Sequence, residues 1–514
     1  MTEQKRIVVI GAGIGGLTTG ALLAKSGYQV TILEAQTYPG GSAGTFFHKG
    51  YRFDAGATVA GGFQPNGPHA LAGEMLELDW KVKQHDPAWV VHLPDRSIEL
   101  CQDNQDVLTK FPGTEKFWQQ QQRIADLAWH MSAQGLPFPP RSIAEFVQLV
   151  KVGLMNFPAD LQVIPFAFST VYQWLKRNNL ADDPAFVRFL NATLLISAQT
   201  TSEYVNALYG ATAMDLPRQG VYHTEGGMGG IAEQLAAHAE KLGVEIRYRQ
   251  FVKRINIEND CVTGVYATQG RRSQRETFIP ADFVVANVTP WSLNELLDED
   301  SPAGLQREVR RRDATQGAFI MHIGLDNEKL PSDIAEHHQI VRDMHGQMGE
   351  GRTLFISLSP EWDTSRALEG KRAVTVSTHT EIGQWWELLN SDHDAYDARK
   401  QQYADDAISA IDNVIPGFKN AATLVLPGTP VTFEFYTLRQ QGMVGGFPQT
   451  SLFKARSPRT GIRNLRLVGD SVFPGQSTAG VTLGAIRVAN DVKRSMPSAQ
   501  SKSYSIPTTE RQPS

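Results

Sequence analysis

Residues 5–10, KRIVVI, form a short β-branched run without polar alternation, which predicts a strand buried on both faces. Residues 11–16, GAGIGG, interrupt it. LTTGALLAKSG then carries helical apolar spacing that ends at Gly27. YQVTILE, residues 28–34, returns to a strand. Strand, glycine turn, helix and strand within about 30 residues make one βαβ unit. Two more glycine loops follow, PGGSAG at 39–44 and FDAGAT at 53–58. From about 71 to 220 the pattern is helical and mixed, rich in Phe, Trp, Leu and Pro. At Gly226 the α/β character resumes. GGMGG leads into IAEQLAAHAEKLG, a helix of strong formers closed by a glycine. EIRYRQFVKRI and NDCVTGVYATQG read as strands joined by tight turns, and ADFVVANVTP as a further buried strand. A second irregular block spans about 291–457. NLRLVGD then reads as a buried strand and TAGVTLGAIRVANDV as the last helix.

This order predicts an α/β protein. A discontinuous Rossmann-type dinucleotide-binding domain is expected from 1–70, 221–292 and 458–495. An inserted mixed α+β substrate domain is expected from 71–220 and 293–457. The polar stretch 496–514 reads as a disordered tail. No repeat recurs at a fixed period. The 514 residues suit two or three domains. A net charge of −5 argues against a nucleic-acid binder that works through bulk charge. Two cysteines, Cys101 and Cys261, make no disulfide framework, and the histidines lack zinc-site spacing, so no metal is expected. The opening MTEQKRIVVIGAG has no signal-peptide layout. The expected compartment is therefore reducing and intracellular, and the glycosylation-like patterns at Asn191 and Asn287 are read as chance matches. No run reaches the roughly 20 apolar residues that span a bilayer. The nearest, LQVIPFAFSTVYQWL, is short and holds Pro165.

The chemistry concentrates at glycines. Gly11, Gly13 and Gly16 form G-x-G-x-x-G between a strand and a helix. The first makes the tight turn, the second admits a pyrophosphate to the backbone, and the third lets helix and strand pack closely. The helix start then offers N–H groups and partial positive charge to phosphates. Glu34, closing the second strand, suits ribose hydroxyls and would repel a 2′-phosphate. Gly40, Gly41 and Ser42 allow close backbone approach. Gly469 and Asp470 end a strand, and Gly480, Val481 and Thr482 open the last helix; both places can meet a flavin.

The set IGAGIGG, LE, PGGSAG, GGMGG and VGDS…PGQSTAGVTLGAIRVA resembles the bacterial phytoene desaturase family of FAD flavoproteins, from about residue 5 to 495. That family includes carotene desaturases and carotene cis–trans isomerases. The resemblance implies the glutathione-reductase/amine-oxidase-like fold. GATVAGG, FSTVYQWL, LLISAQTTSEYVNALYGATAMDLPRQGVYHTEGGMGGIAEQL and TPVTFEFYTLRQQGMVGG are similar more narrowly to cyanobacterial carotenoid C-3′,4′ desaturases. Ser42 departs from the arginine that many relatives carry after the two glycines. That removes one phosphate-side cation and weakens the analogy to amine oxidases.

The resemblance implies FAD as cofactor. It assigns Gly11, Gly13, Ile14, Gly15 and Gly16 to the pyrophosphate loop, with Glu34 and Ala35 at the adenosine ribose. Gly40, Gly41 and Ser42 pass the pyrophosphate, and the Val252 backbone meets the adenine. Gly56, Ala57, Thr58 and Asn287 join the same site. Gly469 and Asp470 contact the pyrophosphate and ribityl chain, and Gly480, Val481 and Thr482 lie near the isoalloxazine.

The implied reaction is hydride transfer from a carotenoid in the path to myxol-type products, with the terminal electron acceptor open between quinone and oxygen. No catalytic residue is assigned. His48, His223, Glu225 and Tyr436 are weak acid–base candidates that read first as structural residues. His337 and His338 read as solvated. Trp385 and Trp386 read as core or interface before channel. The aromatic-rich residues 146–175, flanked by Arg141, Lys176 and Arg177, suit a peripheral segment on the cytoplasmic side of a membrane; a buried helix pair is the competing reading. The rival functions are an isomerase using reduced flavin, a non-catalytic isoprenoid carrier, and an amine oxidase.

Overall fold

The computed structural model describes residues 4–312 and 316–497. Nearly all of the expected tail, 498–514, lies outside the described residues. The N-terminal unit folds as read: β1 (Arg6–Ile10), α1 (Ile14–Lys25) and β2 (Gln29–Leu33). β1 is central in a five-stranded parallel sheet. Its neighbours are β2 and Phe283–Ala286, and the outer strands are Glu245–Arg247 and Leu465–Leu467. Ile7 and Val9 face α1 and the helices Gly229–Lys241 and Ser477–Ser495. Val8 and Ile10 face an antiparallel sheet of Gln250–Glu258, Cys261–Gln269 and Glu276–Pro280. Burial on both faces is why KRIVVI shows no alternation.

The second layer system is a seven-stranded sheet. Its strands, edge to edge, are Ala422–Gly428, Gln316–Asp326, Lys371–Glu381, Thr353–Leu358, His337–Val341, Trp89–His92 and Ser97–Leu100. Only the pairing of His337–Val341 with Trp89–His92 is parallel. Helices Ile382–Ser391 and His393–Asp412 pack on one face with Trp385 fully buried. A helical block from Gln105 to Gln219 closes around Phe117, Trp174, Phe186 and Phe189. Helix Pro68–Leu76 packs on α1 and the last helix. It therefore stands with the nucleotide-binding layer, although the boundary read from sequence falls inside it.

The two systems are joined through Asp54. Its Oδ1 accepts the Met228 N–H at 2.8 Å, and its Oδ2 accepts from Arg366 Nη2 at 2.9 Å. Gly226 and Gly227, at φ +85° and +84°, run directly over arginines. A Cβ on the first would lie 2.2 Å from Arg52 Nη1, and on the second 2.0 Å from Arg366 Nη1. The GGMGG run therefore serves a domain joint as well as a helix start.

His337 and His338 are buried, contrary to the solvated reading. They lie on an interior strand, where a polar stretch of sequence is enclosed by sheet neighbours. His337 Nδ1 and Ser357 Oγ are 2.9 Å apart, and His338 Nδ1 and His92 Nε2 3.0 Å apart. Burial pulls His92 and His338 down to about 4 and His337 well below the usual imidazole value. From pH about 6.5, the free imidazole value, down to about 4, the unfolded chain binds protons that the folded chain refuses. The stability these groups contribute is full above that window and is lost as pH falls through it. The urea midpoint is expected to be clearly lower at pH 5 than at pH 7.5, with a smaller difference in His338→Gln; equal midpoints in the parent protein would refute the assignment.

Candidate active site

A cavity of about 980 Å³ lies between the parallel sheet and the seven-stranded sheet. Its nucleotide-side wall starts at the glycine turn. Gly11 takes φ +93° and donates its N–H to Leu33 O at 2.8 Å. The turn wraps the Asn287 side chain. A Cβ at Gly13 would lie 2.6 Å from Asn287 Nδ2, at Gly15 2.8 Å from Asn287 Oδ1, and at Gly469 3.4 Å from the same oxygen. A Cβ at Gly16 would lie 2.1 Å from Gly11 O, so this glycine serves the packing of α1 onto its own turn. The first turn of α1 has no side-chain cap and no acidic residue. Its N–H groups stay available to an anion.

Glu34 is buried at the end of β2. Its two oxygens accept the N–H groups of Ala12 at 2.7 Å and Gln36 at 2.8 Å. Burial pushes its carboxyl up, against backbone hydrogen bonds from Gln36, Ala12 and Ala35 that lower it. Each carboxylate oxygen keeps a second lone pair for a ribose hydroxyl. The 39–44 loop docks beside the turn: Gly40 N–H donates to Ala12 O at 2.9 Å, with Gly40 at φ +116°. The last helix supplies a second N-terminus without acidic residues, and Ser477, Thr478 and Val481 face the cavity. This cradle of close backbone, the free start of α1, a second helix start facing the cavity and a ribose acceptor fits FAD.

Of the residues assigned from sequence, Gly11, Gly13, Ile14, Gly15, Glu34, Ala35, Gly40, Gly41, Ser42, Gly56, Ala57, Thr58, Val252, Asn287, Gly469, Asp470 and Val481 line this cavity. Gly16, Gly480 and Thr482 do not. Gly480 sits where a Cβ would meet Gly475 O at 1.8 Å, and the buried Thr482 hydroxyl lies 3.3 Å from His69 Nδ1. Both positions face protein instead of the cavity, Gly480 the preceding loop and Thr482 helix Pro68–Leu76. Asn287, read also as a chance glycosylation match, lies at the cavity wall beside the glycine turn.

Sequence reasoning missed the strap that covers the site. Helix Pro430–Thr437 crosses the nucleotide side, and three separate elements hold the carbonyls at its end. Gln36 Nε2 donates to Tyr436 O at 2.5 Å, Arg271 Nη1 to Phe435 O at 3.0 Å, and Ser292 Oγ to Leu438 O at 3.4 Å. Behind it Arg439 Nη2 pairs with Asp470 Oδ2 at 2.9 Å. A cation thus reaches this loop from the second insertion, although Ser42 removes the one expected beside Gly41. Only a lone arginine in an aromatic segment hinted at it.

Of the acid–base candidates, Tyr436 lines the cavity, while His48 and Glu225 do not. His223 is buried elsewhere, with Nε2 2.7 Å from Asp363 Oδ2. Trp385 is core; Trp386 lines the cavity and donates Nε1–H to Gln441 O at 3.0 Å. The far wall is largely apolar, with Ile196, Leu216, Ala318, Ile320, Phe355 and Phe433. Among the described residues no group of His, Cys, Asp and Glu is placed to hold a metal.

The model of the flavin-containing amine oxidoreductase family matches residues 14–493. The chain is 28% identical to the chloroplastic prolycopene isomerase of Daucus carota, over 94% of this chain and 79% of that one. It is 24% identical to the 1-hydroxycarotenoid 3,4-desaturase of a Flavobacterium strain, over 92% and 96%. An oxidoreductase of solved structure from Methanosarcina mazei superposes with a TM-score of 0.62 at 17% identity, covering 94% of this chain and 99% of that one.

Gly13→Ala is expected to push Asn287 into ligand space, lowering FAD retention tenfold or more while the melting temperature of the apoprotein barely moves. Gly16→Ala meets backbone instead, and is expected to destabilise the apoprotein itself by about 1–3 kcal/mol. FAD titration and thermal melts of the two variants check this; the same profile for both would contradict the division of roles.

Proposed function

Because the chain belongs to the flavin-containing amine oxidoreductase family and is a FAD-dependent oxidoreductase, we propose that it is a carotenoid desaturase. The proposed reaction introduces the C-3′,4′ double bond into a γ-carotene-type or 1′-hydroxylated carotenoid, toward myxol-type products. The observation that carries the reading is the apolar far wall set directly against the FAD cradle. A long hydrocarbon needs walls of this kind and no strong polar constellation. When bound, FAD would supply a two-electron acceptor for a hydride from the substrate. The protein's part is to hold the C–C bond in place and exclude water. Ile320 and Phe355, on the strands flanking Lys371–Glu381, form the floor, and Phe433 from the strap and Val444 beyond it close over it. The likeness to prolycopene isomerases favours a second reading, isomerisation with reduced flavin and no net oxidation.

Membrane docking on the cytoplasmic side belongs to the same proposal. Helix Ile143–Asn156 is built inside out: Glu145 is 5% exposed, whereas Ile143 is 85% and Leu154 72% exposed. Glu145 is held inward by Arg459 Nη2 at 3.3 Å and by the Arg141 N–H at 2.6 Å. Phe146, Val147, Val150 and Phe157 extend the outward patch, and Phe168 packs its ring 5.8 Å from that of Phe453, which is 78% exposed. Phe166 does not belong to it, because its ring packs inward on Trp174. Among the described residues no helix is long and apolar enough to cross a membrane. A surface of this kind fits the interface of one leaflet.

Anaerobic incubation of the FAD-loaded protein with γ-carotene and its 1′-hydroxy derivative in liposomes tests the reaction. A product lighter by two hydrogens, with bleaching of the flavin, is expected; unchanged mass with isomerised product, seen only after flavin reduction, would replace the reading by the second one. Vesicle co-sedimentation tests the surface. Each buried Phe contributes about 1.5–3 kcal/mol, so Phe146→Glu with Phe168→Glu is expected to cut partitioning at least a hundredfold. Unchanged sedimentation would remove the membrane from the proposal.

A further inference from the structure

Among the described residues the far wall holds one imidazole, that of His379. Along Lys371–Glu381 successive side chains alternate between faces, and Ser377 and His379 share the face that lines the cavity. Their partners across the ladder are Ile320 and Ala318, which line it too. His379 therefore stands on an apolar floor.

Its protonation pattern is fixed from outside. Gln199 follows helix Pro184–Ala198 and takes φ +58°. Its Nε2 donates to Ile196 O at 3.3 Å, which turns Oε1 toward His379 Nε2, 2.8 Å away. An amide oxygen only accepts, so Nε2 carries the hydrogen and Nδ1 keeps a bare lone pair. Nδ1 has no protein partner among the described residues. Two other buried histidines differ. Both ring nitrogens of His69 meet hydroxyls, at 3.1 Å from Thr478 and 3.3 Å from Thr482. His337 keeps Nε2 unpaired, but it does not line the cavity.

The Gln199 and His379 pair also lies close to the cofactor loops. A Cβ on Gly445 would touch Gln199 Cγ at 3.1 Å and Gln476 Oε1 at 3.0 Å, and Gln476 leads into the last helix. Among the described residues no carboxylate pairs with the ring. Glu350, whose backbone N–H donates to His379 O at 2.7 Å, has its carboxylate committed to Thr380 Oγ1, the Glu381 N–H and the Tyr403 hydroxyl. Burial pulls His379 down to about 4, so it is a neutral acceptor at neutral pH.

We propose that His379, oriented by Gln199, is the proton acceptor of the desaturation. The inference rests on the desaturase reading above. One substrate C–H bond breaks with its electron pair leaving as hydride to a two-electron flavin oxidant. The adjacent C–H bond then breaks, its pair forms the new C=C bond, and its proton goes to His379 Nδ1. A proton beside a polyene cation is very acidic, so a weak base suffices. Neutrality is the requirement, since an imidazolium would repel the cation. Gln199 is a positioning residue: it sets which nitrogen is bare.

The test compares the full-length, FAD-loaded wild type with His379→Gln and Gln199→Leu in liposomes. Single-turnover product mass gives the rate, and carotenoid binding is measured separately. In the wild-type apoprotein, ¹⁵N-histidine spectra are expected to show one histidine protonated at Nε2 whose signal is absent in His379→Gln and whose tautomer shifts in Gln199→Leu. His379→Gln is expected to keep FAD and carotenoid binding and to desaturate about a hundredfold more slowly. Gln199→Leu is expected to be about tenfold slower. If the wild type removes two hydrogens and His379→Gln matches it, this inference falls and the desaturase reading stands. A wild type whose product keeps its mass overturns both. Should His379→Gln fail to fold, an unchanged tautomer and rate in Gln199→Leu overturns the inference by itself.

Discussion

The constraint on which this protein turns is the close approach of bare backbone to the Asn287 side chain. Gly13, Gly15, Gly16 and Gly469 come so near that an added Cβ would meet an atom of this side chain within 3.4 Å, and one on Gly11 would meet the Asn287 carbonyl oxygen at 3.0 Å. Asn287 follows the strand beside β1, and its own N–H donates to Ile10 O at 2.9 Å. One side chain therefore registers the glycine turn, the start of α1 and the end of the last parallel strand. The two helix N-termini face the cavity because these pieces meet there. Glu34 completes the arrangement by holding Ala12 and Gln36 with its two oxygens.

The cavity exists because a second sheet is held opposite this turn. Asp54, Arg366 and the Met228 N–H form the buried joint. Breaking one partner of such a pair costs about 3–5 kcal/mol, mainly by stranding the other charge. Its role here is orientation: Arg366 also donates to Arg52 O at 2.8 Å, and His322 Nε2 lies 2.9 Å from Asp54 O. The strand that carries His322 also carries Ala318 and Ile320, so the same joint aims the cavity floor at the FAD cradle.

Polar groups are spent sparingly on the substrate side. Long apolar walls give a hydrocarbon nothing to be rejected by, and a few placed groups decide its chemistry. The inside-out helix applies the same rule at the surface, turning Glu145 inward and leaving apolar residues outward. The cavity wall keeps the usual preference for apolar residues inside, whereas the helix inverts it.

The chain by itself determined the nucleotide half. Strand, glycine turn, helix and acidic end are contiguous, and each glycine's role is set by local backbone geometry within about 30 residues. The buried parallel strands were legible because burial on both faces leaves an unbroken apolar run. Local pattern did not reveal Arg439 beside Asp470, the strap over residues 430–438, or His379 facing Gln199, 180 positions apart. Nor did it show that His337 and His338 are buried, since a polar stretch reads as surface until sheet neighbours enclose it. Those placements depend on which strands become neighbours and how the two sheets face each other. Hydrogen bonds between distant segments decide that, and they leave no period in the sequence.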